Sequence, residues 1–97
     1  MEKVNVAEKF DLFSDYWSPK IAAELNDSYI KLAKMKGEFV WHHHEKEDEL
    51  LFVVIPRGVD HLPVAEDEVH VILIEPKTTL NTGNVVGDKT VAHLGKI

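Results

Sequence analysis

Residues 68–75, Glu-Val-His-Val-Ile-Leu-Ile-Glu, are the clearest strand in the chain. Successive side chains of an extended strand point to opposite faces. One face therefore carries Val69, Val71 and Leu73, and the other carries His70, Ile72 and Ile74. Pro76 stops it, because proline has no amide proton to give to a ladder. A second apolar run, Leu50-Leu51-Phe52-Val53-Val54-Ile55, predicts a strand covered on both faces. Ahead of it, Glu38-Phe39-Val40-Trp41-His42-His43-His44 also reads as strand, with aromatic and β-branched residues leading into the histidines. Glu45-Lys46-Glu47-Asp48 is a charged connection between the two. Pro56-Arg57-Gly58 suits a type I turn with Pro at its second position and Gly at its fourth. His61-Leu62-Pro63-Val64 follows, with Pro63 favouring an edge or a bend.

The flanking segments are less uniform. Asn5-Val6-Ala7-Glu8 has the form of a capping box, and a short helix through about Leu12 would group Val6, Phe10 and Phe13. Tyr16-Trp17-Ser18-Pro19 breaks that helix, and its aromatics read as packing groups. From Lys20 to Gly37 the signals balance. Ala22, Ala23, Glu24 and Leu25 are good helix formers, while the turn cluster Asn26-Asp27-Ser28 splits the stretch into two runs that could pair as a hairpin. The tail from Lys77 to Ile97 is turn-rich and reads as extended over the surface. The expected class is mainly β with a small helical start. One domain spans 1–97, with an N-terminal helix and arm over 1–17, a β core over 18–76 and a C-terminal extension over 77–97.

A chain of 97 residues buries only about two-thirds of its unfolded surface, so a single core is thin and association would help it. An apolar content of 44% with 29% charged residues reads as soluble and globular rather than disordered. The formal net charge of -6 argues against nucleic acid and anionic membrane surfaces as partners. With no cysteine there is no disulfide, thiolate metal site or cysteine nucleophile. The opening Met-Glu-Lys-Val-Asn has no secretory core and no apolar run approaches a membrane span, so a cytoplasmic location is expected.

The chemistry concentrates in Trp41–Glu49. On a strand, His42 and His44 project to the same side about 7 Å apart at the backbone, which suits two imidazoles converging on one ion, while His43 points away. A His-x-His pair taken alone is more often a solvated patch on an edge strand. Glu47 or Glu49 could add a carboxylate, and His61 follows the Pro-Arg-Gly turn. Arg57 could meet an anionic substrate, although a turn arginine is more often solvated. His70 reads as a satisfied structural histidine, and His93 carries no signal.

These residues resemble a known family. Gly37, then His42-x-His44, then Glu49 after four residues looks like the first motif of the cupin superfamily, and Pro56-x-Gly58-x-x-His61 looks like its second. The Ser-Pro-Lys-Ile opening and the Leu-Asn-Thr-Gly-Asn tail are also similar to small single-domain cupins. The resemblance implies a small cupin-like β-barrel or sandwich of jelly-roll type, in which His42, His44, Glu49 and His61 together bind one divalent metal. It selects Glu49 over Glu47 by motif spacing, and it tips Lys20–Lys36 toward a hairpin. The chain departs from the family pattern at one place. Only six residues, Leu50–Ile55, separate Glu49 from Pro56, where the family runs through further strands; about a hairpin is missing. That shortening implies exposed apolar surface and unpaired strand edges, covered by a homodimer with strand exchange as one route.

Three imidazoles and a carboxylate are compatible with Mn, Fe, Co, Ni, Cu or Zn. The histidine ligands must be deprotonated, so occupancy should fall below about pH 6. Three readings follow: a metal-binding cupin acting on a small molecule in the barrel, dioxygenase- or isomerase-like if an enzyme; a non-enzymatic binding or sensor domain; and a minimal scaffold whose metal site is disrupted.

Overall fold

Asn26 and Asp27 form a tight connection that turns the ambiguous segment into a hairpin. In the computed structural model, which describes Met1, residues 3–51 and residues 53–97, β1 (Lys20–Leu25) and β2 (Ser28–Glu38) pair antiparallel on either side of these two residues. Asn26 sits at φ 52, a left-handed conformation that asparagine tolerates better than most residues. The helix-forming residues Ala22–Leu25 are thereby overridden, because pairing and burial of β2 outweigh local propensity.

Three further strands complete one antiparallel sheet: β3 (Glu49–Leu51), β4 (Val53–Ile55) and β5 (Val64–Pro76), in the spatial order β1-β2-β5-β3-β4. β5 is longer than the expected Glu68–Glu75, and Pro76 is its last residue. It pairs with β2 from Ser28↔Pro76 to Glu38↔Val64, with a register shift between Met35 and Gly37. Gly37 at φ 79 absorbs that shift, since it has no Cβ to clash in the left-handed region. The inner face buries Ala33, Met35, Ala65, Val71 and Leu73, with Trp17 and Leu51 packed against them. The mainly β fold and short N-terminal helix are as expected.

Four local expectations are corrected. The helix α1 covers only Val6–Phe10, with Asp11 as its C-cap; the Asn5 side chain accepts from the Glu8 amide as the capping box requires. The run Leu50–Ile55 is not one doubly covered strand. β3 and β4 pair with each other on either side of Phe52, which lies outside the described residues, and Val53 and Val54 remain exposed. The strand expected through His44 ends at Glu38, opposite Val64, where its partner β5 begins. Beyond it a single bridge joins His42 to His61. The turn at Pro56 starts one residue later than expected. Val59 N–H donates to the Pro56 carbonyl, which puts Gly58 third, at the φ of 81 that a type II turn needs there.

The tail does more than lie over the surface. Its last residues bridge back to β1, with Ile21 N–H donating to the Gly95 carbonyl at 2.8 Å and Ile97 N–H to the Ile21 carbonyl at 3.0 Å. Thr82 is buried to 1% exposure. At the other terminus, Phe10 stacks on His70 with ring centroids 4.7 Å apart, and His70 pairs with Glu68 at 2.6 Å. That contact docks α1 on the outer face of β5 and gives His70 a structural role.

The thin core makes single large-to-small changes costly. Leu73→Ala should lower the unfolding free energy by about 3 kcal/mol in urea titration. Leu12→Ala, on an exposed side chain, should change it by less than about 0.5 kcal/mol.

Candidate functional site

Phe39–His44 leaves β2 as extended backbone held by three separate partners. The Phe39 amide donates to the Pro63 carbonyl, and His42 and His61 exchange both backbone hydrogen bonds at 3.0 and 2.8 Å. The Gly58 amide donates to the His44 carbonyl at 2.7 Å. Because the segment stays extended, its side chains still alternate: Trp41 is exposed, His42 and His44 are buried, and His43 faces out toward Asp60. The third partner is the tail. Asn84 N–H donates to the His43 carbonyl at 3.0 Å, and the His43 amide donates to Asn84 Oδ1 at 2.8 Å. Gly83 permits this approach; a Cβ there would lie 2.1 Å from the His43 carbonyl oxygen.

The structure brings His42, His44, Glu49 and His61 together. One ring nitrogen from each of His42, His44 and His61 lies within 4.8 Å of the others. Glu49, the first residue of β3, reaches the same point: Oε1 is 2.8 Å from His61 Nε2 and Oε2 is 3.9 Å from His44 Nε2. Glu47 is not part of the cluster, because its carboxylate accepts from the Thr78 hydroxyl. Arg57 is exposed on the turn, where its amide donates to Asp48 Oδ1.

Backbone carbonyls set the tautomers. His42 Nδ1 lies 2.8 Å from the Val40 carbonyl and His61 Nδ1 lies 2.9 Å from that of Val59. A carbonyl only accepts, so both Nδ1 atoms carry the proton and both Nε2 atoms present lone pairs inward. That is the outer-shell arrangement that orients metal-binding imidazoles. His61 Nε2 lies 2.8 Å from Glu49 Oε1 without a hydrogen bond, and both His44 ring nitrogens also lack a partner among the described residues. Buried polar nitrogens left unpaired are costly, and a cation among these lone pairs would satisfy them. The four residues therefore could hold a divalent metal.

The electrostatics are organised from below by an ion pair that sequence reading did not single out. Lys31 of β2 and Glu75 of β5 meet at 2.9 Å, at 1% and 3% side-chain exposure. Glu75 also approaches His44 and Glu49. Two carboxylates so close cannot both ionise readily, and Lys31 decides which one does. Burial pushes Glu75 up, but the hydrogen bond with Glu49 and the Lys31 ammonium outweigh it and hold Glu75 below its ordinary value. Burial, then the hydrogen bond and charge of Glu75, push Glu49 up to about 9. Burial pushes His44 down to about 4 and lowers His42 as well. At neutral pH His42 and His44 are neutral and Glu49 holds a proton.

Glu75 was within reach of the sequence, because it continues the inward parity of Val71 and Leu73. Lys31 lay in the segment whose type was undecided. Gly83 and Asn84 belong to the Leu-Asn-Thr-Gly-Asn stretch of the resemblance, but nothing local ties them to His43, which is 41 residues from Asn84.

No protein-family model matches the chain. Over 32 residues it is 47% identical to the uncharacterized protein YdbB of Bacillus subtilis (strain 168); the match spans 33% of this chain and only 28% of that protein's length. Among solved structures it is similar to a cupin-2 domain containing protein from Shewanella frigidimarina NCIMB 400. The identity is 36% and the TM-score 0.71, over 76% of this chain and 94% of the other. Protein NMB1881 from Neisseria meningitidis is similar in fold, at 24% identity and a TM-score of 0.69, over 78% of this chain and 100% of the other.

Two outcomes test the site as described. Gly83→Ala should push the tail off the histidine segment, raising the amide exchange rate of His43 at least tenfold in deuterium exchange. The pH dependence of metal-free stability has a defined sign. Glu49, raised in the fold, contributes stability that is complete below about pH 4.5 and is lost as pH rises toward 9. His44, lowered in the fold, contributes stability present above 6.5 and lost as pH falls toward 4. Between pH 6.5 and 9 only the Glu49 effect operates, so the thermal midpoint should fall across that window and flatten in Glu49→Gln.

Proposed function

Because this chain belongs to the cupin superfamily, we propose that its histidine cluster is a metal centre, with His42, His44, Glu49 and His61 holding one divalent transition metal. The observation that carries the reading is the set of buried ring nitrogens at His44 and His61 that find no hydrogen-bond partner among the described residues, with Glu49 beside them at 3.9 and 2.8 Å. The nitrogen and oxygen donors suit Mn, Fe, Ni, Cu or Zn and not a soft-metal thiolate site. When bound, such an ion supplies Lewis-acid or redox chemistry to a small molecule at its open positions.

The chain's own residues do the rest. His42 and His61 are held in the binding tautomer by the Val40 and Val59 carbonyls. Glu49 is the one ligand that must give up a proton on loading, and Glu75 with Lys31 is where that proton's hydrogen bond is made. Trp17, Phe39 and Leu51 line the cavity beside His42 and His61 and keep bulk water from it.

Equilibrium dialysis of untagged protein against zinc, followed by elemental analysis, should give about one equivalent, and His61→Ala should reduce this at least tenfold. Calorimetry at pH 7 in buffers of different ionisation enthalpy should report release of about one proton per ion, and none for Glu49→Gln. Less than a tenth of an equivalent after reconstitution would sink the metal-centre reading.

A further inference from the structure

The inner face shared by β2 and β5 changes character along its length. At one end lies the buried Lys31–Glu75 pair, then the histidine cluster beside Leu73, and beyond it Met35, Val69 and Val71, which carry no polar atom. β3 pairs with β5 at Leu50↔Ile74, and the apolar end of the face lies beyond that pairing, bordered by Leu51 of β3 and Val53 of β4. What remains is a groove of about 360 Å³ lined by Met35, Leu51, Val53, Val64, Val69 and Val71. That is the lower end of the size range of small-molecule sites. Val53 and Val64 are more than 60% exposed along it. A contiguous apolar strip of this kind marks something that binds.

The groove adjoins the metal cluster. A cavity of about 40 Å³ lies against His42, His61 and Glu49, and Met35, Leu51, His61 and Pro63 line both spaces. The inner cavity has room for roughly three water-sized groups, enough for a head group but not for a sugar or a ring system. No lysine or arginine lines either space among the described residues, while Glu49 and Glu75 border the inner one. Phosphates and polycarboxylates are therefore disfavoured.

We propose that the groove seats the hydrocarbon chain of a free small molecule whose oxygen-bearing head group reaches the metal position at His42, His44 and His61. This inference rests on the metal-centre reading for the head group, and on the apolar strip alone for the chain. The rival occupant is a strand from a second copy of this chain. Glu66, Asp67 and Glu68 stand exposed on the β5 segment flanking the groove, and two copies pairing there would bring like charges together. A hydrocarbon chain meets no such repulsion.

The test is calorimetric titration of the zinc-loaded chain with hydroxamates from acetohydroxamate to octanohydroxamate. Each methylene buried in the groove is worth roughly fourfold in affinity, so the octyl compound should bind at least thirtyfold tighter. Val69→Lys, at a half-exposed position, should bring the octyl compound within threefold of acetohydroxamate and leave acetohydroxamate binding unchanged. Equal affinities across the series in the native chain overturn the proposal. If zinc does not load, the metal-centre reading fails on its own, and the groove is read in metal-free protein with N-phenyl-1-naphthylamine. Fluorescence that is displaced by octanol and lost in Val69→Lys upholds the chain site, and no binding overturns it. If light scattering shows a dimer that must dissociate before either probe binds, the second copy is the occupant and the proposal falls.

Discussion

Strands β2 and β5 are paired from Ser28↔Pro76 to Glu38↔Val64, and every other element is located by reference to that ladder. β1 folds back on β2 through Asn26-Asp27, β3 attaches to β5 at Ile74, and α1 rests on the outer face of β5 through Phe10 and His70. Ladder register also fixes what faces inward. A slip by one residue would turn Ala33, Met35, Val71 and Leu73 to solvent and move Lys31 and Glu75 apart. The bulge near Gly37 is tolerated because it lies beyond the last of these inward pairs.

Within the cluster, burial acts in opposite directions on its two kinds of ligand. The same desolvation that keeps His42 and His44 neutral keeps Glu49 protonated. Neutral imidazoles are ready to bind a cation, whereas a protonated carboxyl is not. Lys31 biases this balance from outside the ligand set. By fixing the negative charge on Glu75, it leaves Glu49 as the carboxyl that exchanges its proton. Buried ion pairs add little net stability in general, and here the pair's value is in setting the charge of its neighbour.

The readable parts of the sequence were those encoded over short distances. Period-two alternation located β5 and divided it into its two faces without choosing the inward one, and the Asn5 cap and the end at Pro76 agree with the structure. His42 and His44 share a side even though their segment is not a ladder strand, because extended backbone alternates whether or not it is paired. Choosing Glu49 over Glu47, and including His61, came from motif resemblance rather than from periodicity. Leu50–Ile55 was misjudged because an apolar run looks alike whether covered or left open. Here the chain divides it into two three-residue strands with exposed valines. Lys31 and the Gly83-Asn84 contact were invisible for another reason: their partners are 44 and 41 residues away, and no local pattern reports such pairings.

The docking of Asn84 on His43 separates two equilibria that a single unfolding measurement would merge. The β2–β5 ladder needs nothing beyond residue 76, whereas the histidine segment is clamped only after the chain has returned over the sheet. Closing that long loop carries its own entropic cost, and the few bonds that secure it can open without disturbing the ladder. The tail's clamp on the cluster can therefore open while the bonds from Gly58, His61 and Pro63 still hold the segment. A nascent chain would have all the residues of the β2–β5 ladder before it had those that clamp His43. A protease cutting the tail before Asn84 would remove the clamp on His43 and leave every pairing of the β2–β5 ladder in the chain.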